Sequence, residues 1–245
     1  MPDSVEGRNP IRHALFVRVA HWLTALAFLA LLVTGVEILL SHPRFYWGES
    51  GNALSTPLFK LPLPASRATV PTGYGYVLPD QNGWSRALHF QAAWLLVLTA
   101  LPYLALGLFR GHFRRDLLPT RAGFSLRALA ASLARHLRFP PPAPEEAWSY
   151  NLLQRITYLK VIFLLFPLAI WTGLAMSPAV ASALPFVVTV WGGQQSARTL
   201  HFFVSISLSA FLVIHIVMVV RAGFRDRVRA MLTGRATAPN PKEPA

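Results

Sequence analysis

The chain has 245 residues, 53% of them hydrophobic and only 13% charged, with a mean hydropathy of +0.42; soluble domains carry roughly 25% charged residues, so an ordinary water-soluble globule is excluded and a membrane protein is indicated. A net charge of +13 would suggest nucleic acid in a soluble chain, but here the basic residues stand between long apolar runs. They read as topology signals facing anionic membrane lipid, with no nucleic-acid partner. The sequence contains no cysteine, which excludes disulfides, thiolate-held iron–sulfur clusters, covalent c-type haem and cysteine zinc sites, and leaves His, Met or carboxylate to hold any metal.

The amino-terminal arm carries Arg8, Arg12 and Arg18 ahead of an apolar run, as a signal peptide would. The run continues too long and lacks a small-residue cleavage pattern, so it is expected to be a membrane helix. Uncharged stretches of 18, 23, 37 and 22 residues follow one another along the chain, at 19–36, 87–109, 161–197 and 199–220. About 20 apolar residues cross a bilayer. The 37-residue stretch is broken by Ser177-Pro178, Pro185 and Gly192-Gly193, which end a span near Met176 and leave 179–191 as a re-entrant or interfacial segment. Four spans result, at about 14–40, 86–109, 154–176 and 198–220.

Of the 23 Lys and Arg residues, 18 lie in the amino-terminal arm, between the second and third spans, or in the tail, and 5 lie on the other side. This asymmetry predicts an inner-membrane protein with both termini in the cytoplasm. The 41–85 loop is then periplasmic, and its Tyr46, Trp47, Tyr74, Tyr76 and Trp84 suit either an ordered cap or a row of interfacial anchors. On the cytoplasmic side Leu126, Leu129, Leu133 and Leu137 recur at helical spacing with Arg127, Arg135 and Arg138 interleaved, which predicts a helix lying on the membrane surface. Pro140 to Pro144 forms a stiff connector. The expected fold is all-α: an integral membrane four-helix bundle over residues 10–233, with a long periplasmic loop, a cytoplasmic interfacial helix and a disordered tail at 234–245.

An internal repeat links the two halves. Arg86-Ala87-Leu88-His89-Phe90 returns 112 residues later as Arg198-Thr199-Leu200-His201-Phe202, with four of five residues identical, and the first and third spans share Thr34-Gly35 and Thr172-Gly173. Two helical hairpins of similar design are inferred.

Four of the eight histidines, His21, His89, His201 and His215, fall inside the spans, where an ionisable side chain marks a functional site by default. His13, His42, His112 and His136 fall in loops or at interfaces and are assigned ordinary solvated roles. His201 and His215 are 14 residues apart, close to four helical turns, so they project from nearly one face at depths differing by about 21 Å. His89 matches the depth of His201 at the outer surface, and His21 that of His215 at the inner one. Two such cross-helix pairs are what two bis-imidazole b haems require; interhelical hydrogen bonding or a proton relay is the competing use of the same histidines. Zinc is poorly supported, since its sites need three or four clustered ligands. Arg86 and Arg198 at the outer surface, and Arg18 or Arg221 at the inner one, suit haem propionates as well as they suit plain interfacial snorkelling.

These blocks carry a resemblance. His21-Trp22, the Arg86–Phe90 block, the run 150–158, Thr172-Gly173-Leu174, and the run from Trp191 through His201 to His215 resemble the bacterial cytochrome b561 and nickel-hydrogenase-type di-haem cytochrome b family, which includes membrane subunits of formate dehydrogenase and thiosulfate reductase-like complexes. The resemblance covers residues 10–233 and implies two haem b groups, the outer held by His89 and His201 and the inner by His21 and His215. It also implies quinone as substrate near one haem and electron exchange with a periplasmic molybdenum-cofactor or iron–sulfur oxidoreductase subunit. The long 41–85 loop and the lack of a fifth span depart from some members. A stand-alone haem oxidoreductase acting on superoxide or ferric ion, and a haem-free histidine-relay transporter, are the alternative functions.

Overall fold

The computed structural model describes residues 12–51, 55–63, 70–71, 77–78, 83–119, 127, 130, 134 and 152–235. Four helices in it are long and apolar enough to cross a membrane: α1 (Leu15–Ser41), α2 (Gly83–Phe109), α3 (Leu152–Ala175) and α6 (Gln194–Arg221). All four expected spans are present, each longer or shifted by a few residues. The protein is an all-α membrane helical bundle.

Local chemistry sets the helix ends. Pro43 biases the residue before it away from helical geometry, and α1 stops at Ser41. Gly111, at φ +64°, turns the chain after α2 into a single π-helical turn, Phe113–Leu117. The Phe113 ring lies where a Cβ on Gly107 would stand, 2.5 Å from the ring's Cζ, so the turn folds back onto α2 only because residue 107 is glycine. In α3 a π-helical turn at Val161–Leu165 precedes Pro167, whose ring cannot fit a regular α-turn. Pro102 sits inside α2, as proline does in membrane helices more often than in soluble ones.

The segment expected to be re-entrant or interfacial forms two short helices, α4 (Pro178–Ala183) and α5 (Phe186–Thr189). Val187 and Val188 pack with Ala175 and Ala197 in a small buried core. The Trp171 indole donates to the Val187 carbonyl at 3.3 Å. After α6, Gly223 starts α7 (Phe224–Thr233), which ends at Gly234; both glycines have positive φ.

The loop after α1 holds two antiparallel two-stranded ribbons, β1 (Arg44–Phe45) with β2 (Phe59–Lys60) and β3 (Val70–Pro71) with β4 (Val77–Leu78). Tyr74 and Tyr76 lie outside the described residues, as do the leucines of the expected interfacial helix and the tail beyond 235.

Two compact units are traced through the chain. One comprises Met1–Trp22, Ala100–Phe163 and Ala210–Ala245, the other Leu23–Thr99 and Leu164–Ser209. Large apolar side chains face outward in both: Leu26, Leu108, Phe109, Val213 and Ile214 are all more than 60% exposed. In the unit that contains Leu23–Thr99 and Leu164–Ser209, Thr34, Thr172, Thr199, Ser85 and Ser196 are fully buried. Lipid solvates the large apolar groups, and small or hydroxyl-bearing residues let helices approach and satisfy one another.

Candidate functional site: two cross-helix histidine pairs

In the unit containing Leu23–Thr99 and Leu164–Ser209, α2 brings His89 and α6 brings His201 beside one another, with ring centroids 6.3 Å apart and ring planes inclined at 66°. In the other unit α1 and α6 do the same with His21 and His215, again at 6.3 Å. A transition metal binds an imidazole nitrogen at about 2.0–2.1 Å, and the ring centre lies about 1.1 Å behind that nitrogen, so two imidazoles flanking one metal have centres about 6.2 Å apart. Both pairs match that separation. Among the described residues no group of three or more His, Cys, Asp or Glu side chains gathers. Each pair therefore brings two imidazoles to the separation that one metal between them would need, without the third and fourth ligands of a zinc site among the described residues.

The first pair is built from the repeat. Thr34 of α1 contacts His89 of α2, and Thr172 of α3 contacts His201 of α6, each with Oγ1···Nδ1 at 2.9 Å. The adjoining glycines border the rings: a Cβ on Gly35 would lie 3.7 Å from His89 Cε1, and one on Gly173 would lie 3.5 Å from His201 Cε1, both at ordinary contact distance. The repeated Thr-Gly step is thus a cradle for the imidazole of the neighbouring helix, used twice. As sequence it was only a pairing of short motifs; its role needs the contact across helices.

The second pair is surrounded differently. Trp22 meets the His21 ring edge-on at 5.2 Å, and Phe211 stacks on His215 at 5.6 Å. His21 Nδ1 is buried without a hydrogen-bond partner among the described residues. Arg18 and Trp22, one turn apart on α1, donate to the carbonyls of Leu232 and Met231 at the end of α7.

Arg198 holds the loop. Its guanidinium donates to the Arg44 carbonyl at 3.0 Å and to the His42 carbonyl, and lies 5.0 Å over the Phe45 ring. Arg86 is exposed. His42 lies close to both arginines; partial burial of the ring, then the Arg198 and Arg86 charges, push its pKa below the usual histidine value.

His112, assigned a solvated role from sequence, is placed otherwise. Its Nδ1 pairs with Asp116 Oδ2 at 2.6 Å, and its side chain is only 14% exposed. Phe16 and Tyr103 meet the ring edge-on at 5.7 and 6.3 Å. The i, i+4 spacing of His112 and Asp116 was the available signal, but it pairs residues only where the chain is helical, and no helix was expected there.

Comparison with known proteins gives the family. The family described as Prokaryotic cytochrome b561 matches residues 12–234. A relative from Azospira oryzae, named as a protein-methionine-sulfoxide reductase subunit, YedZ1, is 29% identical over 207 residues, covering 84% of this chain and 89% of the relative. The family match takes in all four spanning helices and both histidine pairs: the chain belongs to the prokaryotic cytochrome b561 family and is a membrane haem b electron-transfer protein.

Proposed function

We propose that the chain holds two b haems, one between His89 and His201 and one between His21 and His215, and passes electrons through them between a periplasmic oxidoreductase and quinone. The observation that carries this reading is the common 6.3 Å ring separation in the two pairs. One helix, α6, supplies a ligand to each. Family membership supports haem b as the bound group. It supplies one-electron redox chemistry, while the protein supplies ligands, orientation and a dry surrounding. The arginines at the His89–His201 end, Arg86 and Arg198, retain guanidinium N–H groups for propionate carboxylates.

The excess of basic residues on the His21–His215 side supports a cytoplasmic position for both termini. The loop fastened by Arg198 then faces the periplasm, where the redox partner docks. The relative's name, a subunit of a reductase, supports a partner that carries the substrate chemistry; a molybdenum-cofactor or iron–sulfur protein is the proposed type. Quinone reacts at the His21–His215 end. The His112–Asp116 pair with Phe16 and Tyr103 supports this placement, because converting quinone to quinol takes two electrons and two protons, and the pair joins a protonatable group to an aromatic wall.

Pyridine haemochrome assay of purified protein tests the central claim, with two b haems per chain expected. A stoichiometry of one or none in fully loaded protein overturns it. A periplasm-active reporter fused at Ala245 would overturn the orientation alone.

A further inference from the structure

The contact between each buried threonine and its histidine fixes a proton. Thr34 Oγ1 donates to the Ala30 carbonyl at 2.7 Å, with Leu31 at 3.3 Å; Thr172 Oγ1 donates to the Leu168 carbonyl at 2.6 Å, with Ala169 at 3.2 Å. A hydroxyl has one proton. With it committed to the helix backbone, the oxygen offers only lone pairs to the histidine nitrogen 2.9 Å away. Nδ1 must therefore carry the proton and donate it, and Nε2 is left with the lone pair that binds a metal. Both threonines are 0% exposed, so water does not compete for the contact.

Threonine in a membrane helix commonly bonds back to its own helix, and Thr99 does so to the Leu95 carbonyl at 2.7 Å. Back-bonding alone therefore signals nothing. What sets Thr34 and Thr172 apart is a second contact, to a histidine on another helix, made twice at the same distance and beside a glycine that borders the ring.

We propose that Thr34 and Thr172 are positioning residues that set the ligand nitrogen and lower the reduction potential of the His89–His201 centre, independently of the other centre. This rests on the reading of His89 and His201 as axial ligands. A hydrogen bond accepted from Nδ1–H makes the imidazole a stronger electron donor through Nε2, and a stronger donor favours the oxidised metal. The rings of His21 and His215 meet Trp22 and Phe211, respectively.

The test is a redox titration followed in the visible haem bands, with Thr34→Val, Thr172→Val and the double variant set against Thr34→Ser and Thr172→Ser. Valine keeps the shape and removes the acceptor; serine keeps the acceptor. Each valine variant should raise one midpoint potential and leave the other unmoved, the double variant should raise it further, and the serine variants should titrate as wild type. Unchanged midpoints in the valine variants overturn the proposal. If valine costs the protein that haem while serine retains both at wild-type potentials, the hydroxyl oxygen is shown to be the requirement; loss with valine and serine alike overturns it. His89→Ala and His201→Ala, titrated in parallel, separate this from the underlying assignment. If those variants keep both haems at wild-type potentials, the ligand reading itself fails, whatever the threonines do.

Discussion

A Cβ built on Gly193 would lie 2.4 Å from the backbone carbonyl of Gly48, a contact no side chain tolerates. The closeness is used. The Gly48 carbonyl accepts the Gln195 and Ser196 N–H groups at the start of α6, and Ser196 Oγ accepts the Gly48 N–H at 2.8 Å. Thr199 Oγ1 adds a buried bond to the Tyr46 carbonyl at 2.7 Å. The loop thereby caps the helix that carries His201, satisfying donors every helix start leaves open. Gly193→Ala should therefore destabilise the protein well beyond Gly192→Ala. Both glycines have positive φ, which costs a side chain about 1–2 kcal/mol, but only Gly193 meets backbone. Thermal unfolding in detergent checks this, and equal midpoints for the two variants would refute it.

The histidine pairing makes a sharper claim. His89→Ala and His201→Ala should each remove the same haem, and His21→Ala and His215→Ala the other, so the four variants fall into two spectral classes. The classes follow from which rings face each other at 6.3 Å. A spectrum of His201→Ala that matched His215→Ala, its partner on the same helix, would show the pairing to be wrong.

The glycines of the two cradles predict a graded response. At 3.5 and 3.7 Å from the imidazoles, an added Cβ makes ordinary van der Waals contact. Gly173→Ala and Gly35→Ala should bind haem as wild type does. A branched side chain reaches further and must displace the ring, so Gly173→Val and Gly35→Val should lose the haem of the His89–His201 pair while retaining the other. Haem-to-protein ratios distinguish these outcomes; full loading of both valine variants would mean the cradle is slack.

The four spans and the two cross-helix pairs were legible because each leaves a one-dimensional mark: uncharged runs of sufficient length, and histidines placed in phase along them. The Thr-Gly repeat was visible but mute, since a threonine that bonds its own helix looks the same in sequence as one that also holds a neighbour's imidazole. Arg198 has a role that the sequence did not show: it donates to two loop carbonyls and lies over the Phe45 ring. The ribbon that places those carbonyls pairs Arg44 with Lys60 and Phe45 with Phe59, and strands two residues long carry no readable alternation.

His13 gives the protein an acid sensitivity of known sign. It precedes α1 in an arm held by the Arg12 and His13 N–H groups on the Gly234 carbonyl. Burial, then the charges of Arg12, His21, Arg227 and His112, push its pKa down to about 4. A released arm would titrate near the ordinary value of about 6.5. Between the two values the released form binds more protons, so stability is fully present above about pH 6.5 and declines as pH falls toward 4. His13→Gln should flatten the decline of thermal stability across that window. An unaltered acid limb in the variant would place the sensitivity elsewhere.

The His112–Asp116 pair allows proton handling to be separated from electron handling. Asp116 is half exposed and His112 is enclosed by Phe16, Tyr103 and Phe113, so a proton taken up by the carboxylate from water has a 2.6 Å step to the imidazole. None of these residues belongs to either histidine pair. Asp116→Asn keeps the shape and a hydrogen bond but lacks the carboxylate, and His112→Phe keeps the aromatic packing without the imidazole nitrogens. Both variants should retain two haems with wild-type spectra and be reduced by a chemical donor at the wild-type rate. Electron exchange with a soluble quinone should fall, by about 10²-fold or more for His112→Phe, the usual range for losing a general acid or base. Loss of haem in these variants would show that the pair is structural. Full quinone activity with intact haems would move the quinone site away from this end of the protein.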